Sequence, residues 1–449
     1  MRKAIHELVH LLEKNHTNRF NSLVGKYYPA WREAKRILAD MPLDYWKKLS
    51  YFDVKTYTLK YNLKLKEAQK MYQVLIKNGT VIDPANNIHE VLDVAIEGGK
   101  ISAVSKNLDV KAVNEVDASG CIVTPGLIDH HSHVYPLAKI GIPAESVCFS
   151  SGVTTIVDAG STGAKTFRQH KDFITKSKLT VKAYINVCST GLDSLPAKME
   201  DVNPAHYDEG EIRELFEEER GTLLGLKLRT SAEIVGDMGY TPLRETVRLA
   251  DKLGLYVMVH CTNPPAEMSE LLSCLREGDV ITHMYMNNGS TILDSSGHVK
   301  QSALEARKRG VIFEASDARA HFGFDVAEGA IREGFLPDIL ATDITKLSVY
   351  LRPTAFSMAN QLAKYSMLGI PEDELFRLCT VNPARHMKID AGTLSVGSCA
   401  DAAIFRREKF SVTFGDRADG SGNLRNGEYI YRPLMTVKNG EVVYRDIAF

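Results

Sequence analysis

The stretch Pro125-Gly126-Leu127-Ile128-Asp129-His130-His131-Ser132-His133 decides how the rest of the chain is read. An apolar run that opens on Pro-Gly ends in an H-x-H pair. Residues i and i+2 of a strand face the same side, so the imidazoles of His131 and His133 can converge on one metal ion at the strand's end. An isolated H-x-H is equally compatible with two histidines that only hydrogen-bond, so its meaning depends on the residues C-terminal to it. There, apolar strand-like runs alternate with longer helical patterns. Strands are expected to begin near Leu127, Thr154, Val181, Leu223, Tyr256, Val280, Val311 and Ile339, with helices such as 242–253 and 302–308 between them. Eight β-then-α units predict an α/β protein built on a (β/α)8 TIM barrel over residues 126–390.

On both sides of the barrel the texture changes. VLIKNGTVID (74–83), VLDVAIEGGKISAV (91–104) and VDASGCIVTPG (116–126) are short β-branched runs broken by Asn-Gly and Gly-Gly, which is hairpin chemistry. GTLSVGSCADAAIF (392–405) and PLMTVKNGEVVYRD (433–446) return to that pattern. Neither flank holds enough apolar residues for a core of its own. Residues 73–125 and 391–449 are therefore expected to combine into one composite β-sandwich domain. Residues 1–72 read as a basic, mainly helical N-terminal extension, with 15 Lys and Arg against seven Asp and Glu, a charge of +8 that leaves −9 for the remainder. That charge would suit RNA or an acidic surface. No nucleic-acid-binding motif accompanies it, and a helical arm with solvated lysines is the simpler expectation.

Composition bounds the class. The chain has 449 residues, 44% hydrophobic and 25% charged, with a formal net charge of −1. These values exclude collagen-like, disordered and disulfide-scaffold proteins. No apolar run approaches the ~18 residues of a membrane helix, and the N-terminus lacks the apolar core and cleavage site of a signal peptide. The seven cysteines are scattered and never form C-x-x-C, which fits a reducing compartment and argues against a cysteine-based zinc site. A cytoplasmic protein acting on a small molecule, without membrane or nucleic-acid partner and able to form a homo-oligomer, is the expectation.

Further residues of the metal-ligating type end later strands. Lys227 lies in LLGLKLR, where an unpaired ammonium is costly to bury. His260 ends LYVMVH, His283 ends DVITH and Asp343 ends DILATD. In a parallel barrel the strand ends converge on one face, where active sites sit. Four histidines, a lysine and an aspartate meeting there would make a two-metal site, although each alone could be a hydrogen-bonding or paired residue.

The chain from about Leu75 to Tyr444 resembles the amidohydrolase superfamily of metal-dependent hydrolases. The resemblance rests on LIKNGTVIDP (75–84), PGLIDHHSH (125–133), Lys227, His260, His283, Asp343, TVNPAR (380–385) and GTLSVGSCAD (392–401). It implies that Lys227 is carboxylated by CO2 to a carbamate bridging two divalent ions. One ion would take His131, His133 and Asp343, and the other His260 and His283. Zn2+ is favoured by the imidazole-rich set. Asp343 would be the catalytic base, and His130 would not be a ligand. GVTTIVDAGSTGAKTF (152–167) and INVCSTGL (185–192) are similar to the dihydroorotase-like deacetylase branch, which implies cleavage of an amide or ester in a small N-acyl or O-acyl acid. Dihydroorotases follow H-x-H with a substrate-gripping arginine; here Val134 and Tyr135 follow His133. A dihydroorotase- or hydantoinase-type cyclic-amide hydrolase is therefore the second enzyme reading, and a non-catalytic interaction protein on the same fold is the third. Arg229 and His321 are the candidates for gripping a substrate carboxylate or carbonyl.

One competing motif stands apart. His6-Glu7-Leu8-Val9-His10 matches the zinc-peptidase signature H-E-x-x-H, and His16 has the third-ligand spacing of its longer form. That form needs glycine where Glu13 stands, and an amphipathic surface helix accounts for the same letters.

Overall fold

The structure, a computed structural model, describes residues 71–192, 200–350 and 354–449. Residues 1–70, which hold nearly all of the expected basic extension and the H-E-x-x-H stretch, lie outside the described residues. Residues 71–449 form one compact unit containing two sheets of eight strands each.

The barrel sheet consists of β6 (Leu127–Ser132), β7 (Val153–Gly163), β8 (Thr180–Asn186), β9 (Leu223–Arg229), β10 (Tyr256–His260), β11 (Val280–Thr282), β12 (Ile312–Ser316) and β13 (Ile339–Ala341). They neighbour one another in chain order, and every pair is parallel. The ring closes where the Asp343 N–H donates to the His131 carbonyl at 2.7 Å and the His133 N–H to the Ile344 carbonyl at 3.0 Å. The period of two sorts the side chains. Val257, Val259 and Ile281 join the large core shared with the surrounding helices. Met258 and Val280 join a smaller interior cluster with Ile128, Val157 and Tyr184. Ala384 and Met387, from the helix Val381–Met387, complete that interior cluster, and the Tyr184 hydroxyl lies 3.1 Å from His386 Nε2. TVNPAR therefore supplies packing beneath the site.

The second sheet combines β1 (Met71–Asp83), β2 (Ile88–Glu97), β3 (Lys100–Ser105), β4 (Lys111–Asp117) and β5 (Ile122–Pro125) with β14 (Ala402–Gly415), β15 (Leu424–Lys438) and β16 (Glu441–Arg445). The antiparallel β5–β14 pair joins the two flanks, and Val74, Ile76, Val94, Ile404 and Met435 share one core. The two Asn-Gly dipeptides diverge. Asn439-Gly440, both at positive φ, turns β15 into β16 with Lys438 opposite Glu441. Asn78-Gly79 makes no hairpin, contrary to expectation. β1 runs through it with a shift of register between Ile76 and Gly79. The Asn78 N–H donates to Asp93 Oδ1 at 2.8 Å, and a Cβ at Gly79 would lie 2.4 Å from Val123 Cγ2. The asparagine satisfies a bulge and the glycine lets β5 approach.

β14 and β15 form a long hairpin whose tip reaches the barrel. The Ala418 N–H donates to the Arg319 carbonyl at 2.9 Å. Among the described residues no helix is long and apolar enough to cross a membrane.

Candidate active site

At the C-terminal ends of the barrel strands the candidate residues come together in two adjacent clusters. Ligand-type atoms of His131, His133 and Asp343 lie within 4.8 Å of one another, as do those of His260, His283 and His321. Asp343 Oδ1 is 3.2 Å from His133 Nε2 and 3.5 Å from His131 Nε2. His283 Nε2 is 2.8 Å from His260 Nδ1. Lys227 Nζ lies 3.4 Å from His131 Nε2. His321 joins the second cluster, with its Nε2 3.8 Å from Asp343 Oδ2.

Backbone geometry holds this arrangement. His283 and Asp343 both adopt left-handed φ, 61° and 51°, which costs a non-glycine residue about 1–3 kcal/mol where surrounding bonds enforce it. The Asp343 N–H is held by the His131 carbonyl, and the Met284 N–H after His283 donates to the Glu314 carbonyl at 3.1 Å. Asp129 braces the other side, accepting from the Thr342 N–H at 3.0 Å and its hydroxyl at 2.6 Å. Burial raises the Asp129 carboxyl to about 7, against those bonds.

The electrostatics favour neutral nitrogen donors around a carboxylate. Burial pushes Lys227 down to about 8, opposed by Asp343 and Glu314. Burial, reinforced by His283, holds His260 well below the imidazole range, and burial reinforced by His321 does the same to His283. Burial likewise takes His321 to about 4. Burial would raise Asp343, but His131, His133 and His283 prevail and hold it well below the carboxylate range. Clustered imidazoles, a carboxylate held below its usual range and a lysine shifted down by burial are a donor set that fits divalent cations.

Several participants escaped the sequence reading. Glu314, fully buried on β12, has Oε1 2.8 Å from His131 Nδ1 and Oε2 2.5 Å from His130 Nδ1. The neighbours His130 and His131 both reach it because β6 shifts register against β7 between Asp129 and Ser132; such an irregularity re-aims side chains. The signal was present in VIFEAS, where a carboxylate interrupts an apolar strand as Lys227 does. His133 Nδ1 is 2.7 Å from the Ser161 hydroxyl, which donates to Asp158. Arg229 is not a free substrate anchor. Its Nη1 donates to Glu200 Oε2 at 3.0 Å, and Glu200 also accepts from Asn186 Nδ2 at 2.6 Å. Arg319, passed over in the sequence, lines the same cavity as His131, His133, Lys227 and Asp343.

A parallel barrel thus carries two clusters of potential metal ligands at the C-terminal ends of its strands. The family model described as "Amidohydrolase family" matches residues 122–443, and the chain belongs to that family, whose members hydrolyse C–N bonds. A second model, "YgjP-like, metallopeptidase domain", matches residues 4–41, the stretch that carries H-E-x-x-H. Among curated relatives, a deacetylase of Enterococcus faecalis is 28% identical over 83% of this chain and 99% of its own length. A deacetylase of Agrobacterium fabrum is 30% identical over 78% and 86%. Among solved structures, one titled as a dihydroorotase has a TM-score of 0.75 at 28% identity, covering 83% of this chain and 99% of its own. One titled as an adenine deaminase has a TM-score of 0.74 at 27% identity, covering 84% and 100%.

Proposed function

We propose that this protein is a binuclear metal-dependent deacylase that cleaves an amide or ester bond in a small N-acyl or O-acyl acid. The observation that carries the reading is the pair of adjacent donor clusters beside buried Lys227; the two deacetylase relatives support an acyl group as the part that water attacks. His131, His133 and Asp343 would hold one ion and His260 and His283 the other, with His321 within reach of the second. Lys227, as a carbamate, would lie between them. Two divalent ions, with Zn2+ favoured by the imidazoles, acidify water and polarise a carbonyl.

The chain's own groups do the rest. The depressed ammonium of Lys227 makes the neutral amine that captures CO2 accessible near neutral pH. Glu314 and Ser161 fix the Nδ1 sides of His131 and His133, leaving Nε2 of each facing Asp343. Asp343 accepts a proton from the attacking water as oxygen bonds to the acyl carbon. It returns that proton to the leaving nitrogen or oxygen as the C–N or C–O bond breaks, releasing an acid and an amine or alcohol. The dihydroorotase likeness keeps cyclic-amide hydrolysis as the second reading; the lack of an arginine in the Val134-Tyr135-Pro136 stretch after H-x-H weighs against it.

Metal content per chain, measured by elemental mass spectrometry on wild type and Lys227→Ala, tests the centre. Two equivalents in the wild type, falling sharply in the variant, are expected. A wild type that stays empty after Zn2+ and bicarbonate are supplied would overturn the proposal. Turnover of acylated amino and hydroxy acids, set against dihydroorotate and hydantoins, separates the two enzyme readings.

A further inference from the structure

We propose that Arg319 reads the carboxylate of the substrate, on a loop that the C-terminal hairpin holds in place; this rests on the acyl-acid reading above. Among the described residues, three cationic side chains line the cavity: Lys227, Arg229 and Arg319. Lys227 belongs to the centre itself. Arg229 is already matched by the buried Glu200 carboxylate, so an incoming anion would have to compete with an existing pair. Arg319 is exposed, and no side-chain hydrogen bond or ion pair engages it among the described residues. Its guanidinium is a planar fork of donors that matches a carboxylate in two parallel bonds.

The backbone beneath that side chain is fastened on several sides. Ala318 turns the loop with φ 46°, and its N–H donates to the Thr342 carbonyl at 3.0 Å. From the hairpin tip, the Ala418 N–H donates to the Arg319 carbonyl at 2.9 Å. Arg417 Nη1 donates to the carbonyls of Ala320 at 3.1 Å and Phe322 at 3.0 Å. Its Nη2 donates to Asn287 Oδ1 at 2.7 Å. At the loop's root, buried Asp317 accepts from Lys364 Nζ at 2.9 Å and the Tyr365 hydroxyl at 2.8 Å. A recognition group on a backbone fastened beforehand loses little freedom when it binds. The substrate class this selects is an acyl amino acid or acyl hydroxy acid with its carboxylate free, in preference to the matching carboxamide. Arg417 acts as a positioning residue, through the carbonyls it holds.

The test uses the metal-loaded full chain as wild type, Arg319→Met, Arg319→Lys, Arg229→Met and Arg417→Met, with metal content checked for each. Calorimetry measures binding of free amino and hydroxy acids and of their carboxamides. Kinetics measure kcat/KM for N-acetyl amino acids, O-acetyl hydroxy acids and their carboxamides. Arg319→Met is expected to lose about tenfold or more in carboxylate binding and kcat/KM, with carboxamides unchanged and metal content equal to wild type. Arg319→Lys should recover part of the loss, and Arg417→Met should raise KM more than it lowers kcat. The proposal is overturned if Arg319→Met treats carboxylates as the wild type does. It is equally overturned if the selective loss follows Arg229→Met instead, or if the wild type binds carboxylates no better than carboxamides. Carboxylate binding that depends on Arg319, without turnover of any acyl compound, would sustain this inference while the deacylase reading fails.

Discussion

Glu314 accepts from two imidazoles that are adjacent in sequence, and this bridge sets the orientation of His131. A carboxylate behind a ligating imidazole fixes its tautomer and raises its basicity, and losing such a partner costs about 10–100-fold in metal affinity. Glu314→Gln is therefore expected to weaken metal binding by that order in competition with a chelator, while circular dichroism stays unchanged. Equal affinity in variant and wild type would reduce Glu314 to a partner for buried polar groups. Asp343→Asn separates holding metal from moving a proton. It should keep most of the metal and lose about 10²–10⁴-fold in turnover, the usual worth of a general acid–base group. Full activity in that variant would remove Asp343 from the mechanism. Lys227 and Glu314 illustrate what is legible at this scale. Each is a charge inside an apolar strand, but Lys227 ends a run that already looks like a barrel strand, whereas the partners of Glu314 are 183 and 184 residues away.

Among the elements, β7 has little latitude where it passes Lys227. Gly160 adopts φ +82°, and a Cβ there would lie 2.6 Å from both Cβ and Cγ of Lys227. Gly160→Ala should push that side chain off its axis, lowering metal content and destabilising the protein by about 1–3 kcal/mol through strain and overpacking; denaturant melts with metal analysis would show both. Normal metal content with lost stability would confine the effect to the backbone. Strand starts were legible because each barrel strand opens an apolar run, after Pro-Gly for β6 and after a helical stretch for the others. The eight expected starts fall within one residue of the observed ones. The bulge at Asn78-Gly79 was not legible. The same dipeptide at 439–440 makes a turn, and the difference lies in Asp93 and Val123, which meet β1 from elsewhere in the sheet.

For the whole molecule, stability should respond to acid and to metal. Burial, aided by His130, holds His386 down at about 3, against an ordinary 6.5. The folded state thus binds fewer protons than the unfolded chain between those values. Stability contributed there is present above about 6.5 and is lost as pH falls toward 3. His386→Gln should flatten the fall in melting temperature between neutral and acid pH; parallel curves for variant and wild type would refute the assignment. Metal at a hundred times its Kd should add about 2.7 kcal/mol of stability, visible as a higher Tm that a chelator reverses. What the sequence determined by itself is local and periodic: eight apolar strands, the polar residues that end them, and flanks too small to fold alone. Those features follow from the period of two and from the cost of burying charge, which act within a few residues. Tertiary structure alone decided that Arg229 is matched by Glu200, that Glu314 bridges His130 and His131, and that the β14–β15 hairpin fastens the Arg319 loop. Each of these joins residues brought together only when the barrel closes and the flanking strands pair, so no spacing in the sequence announces them.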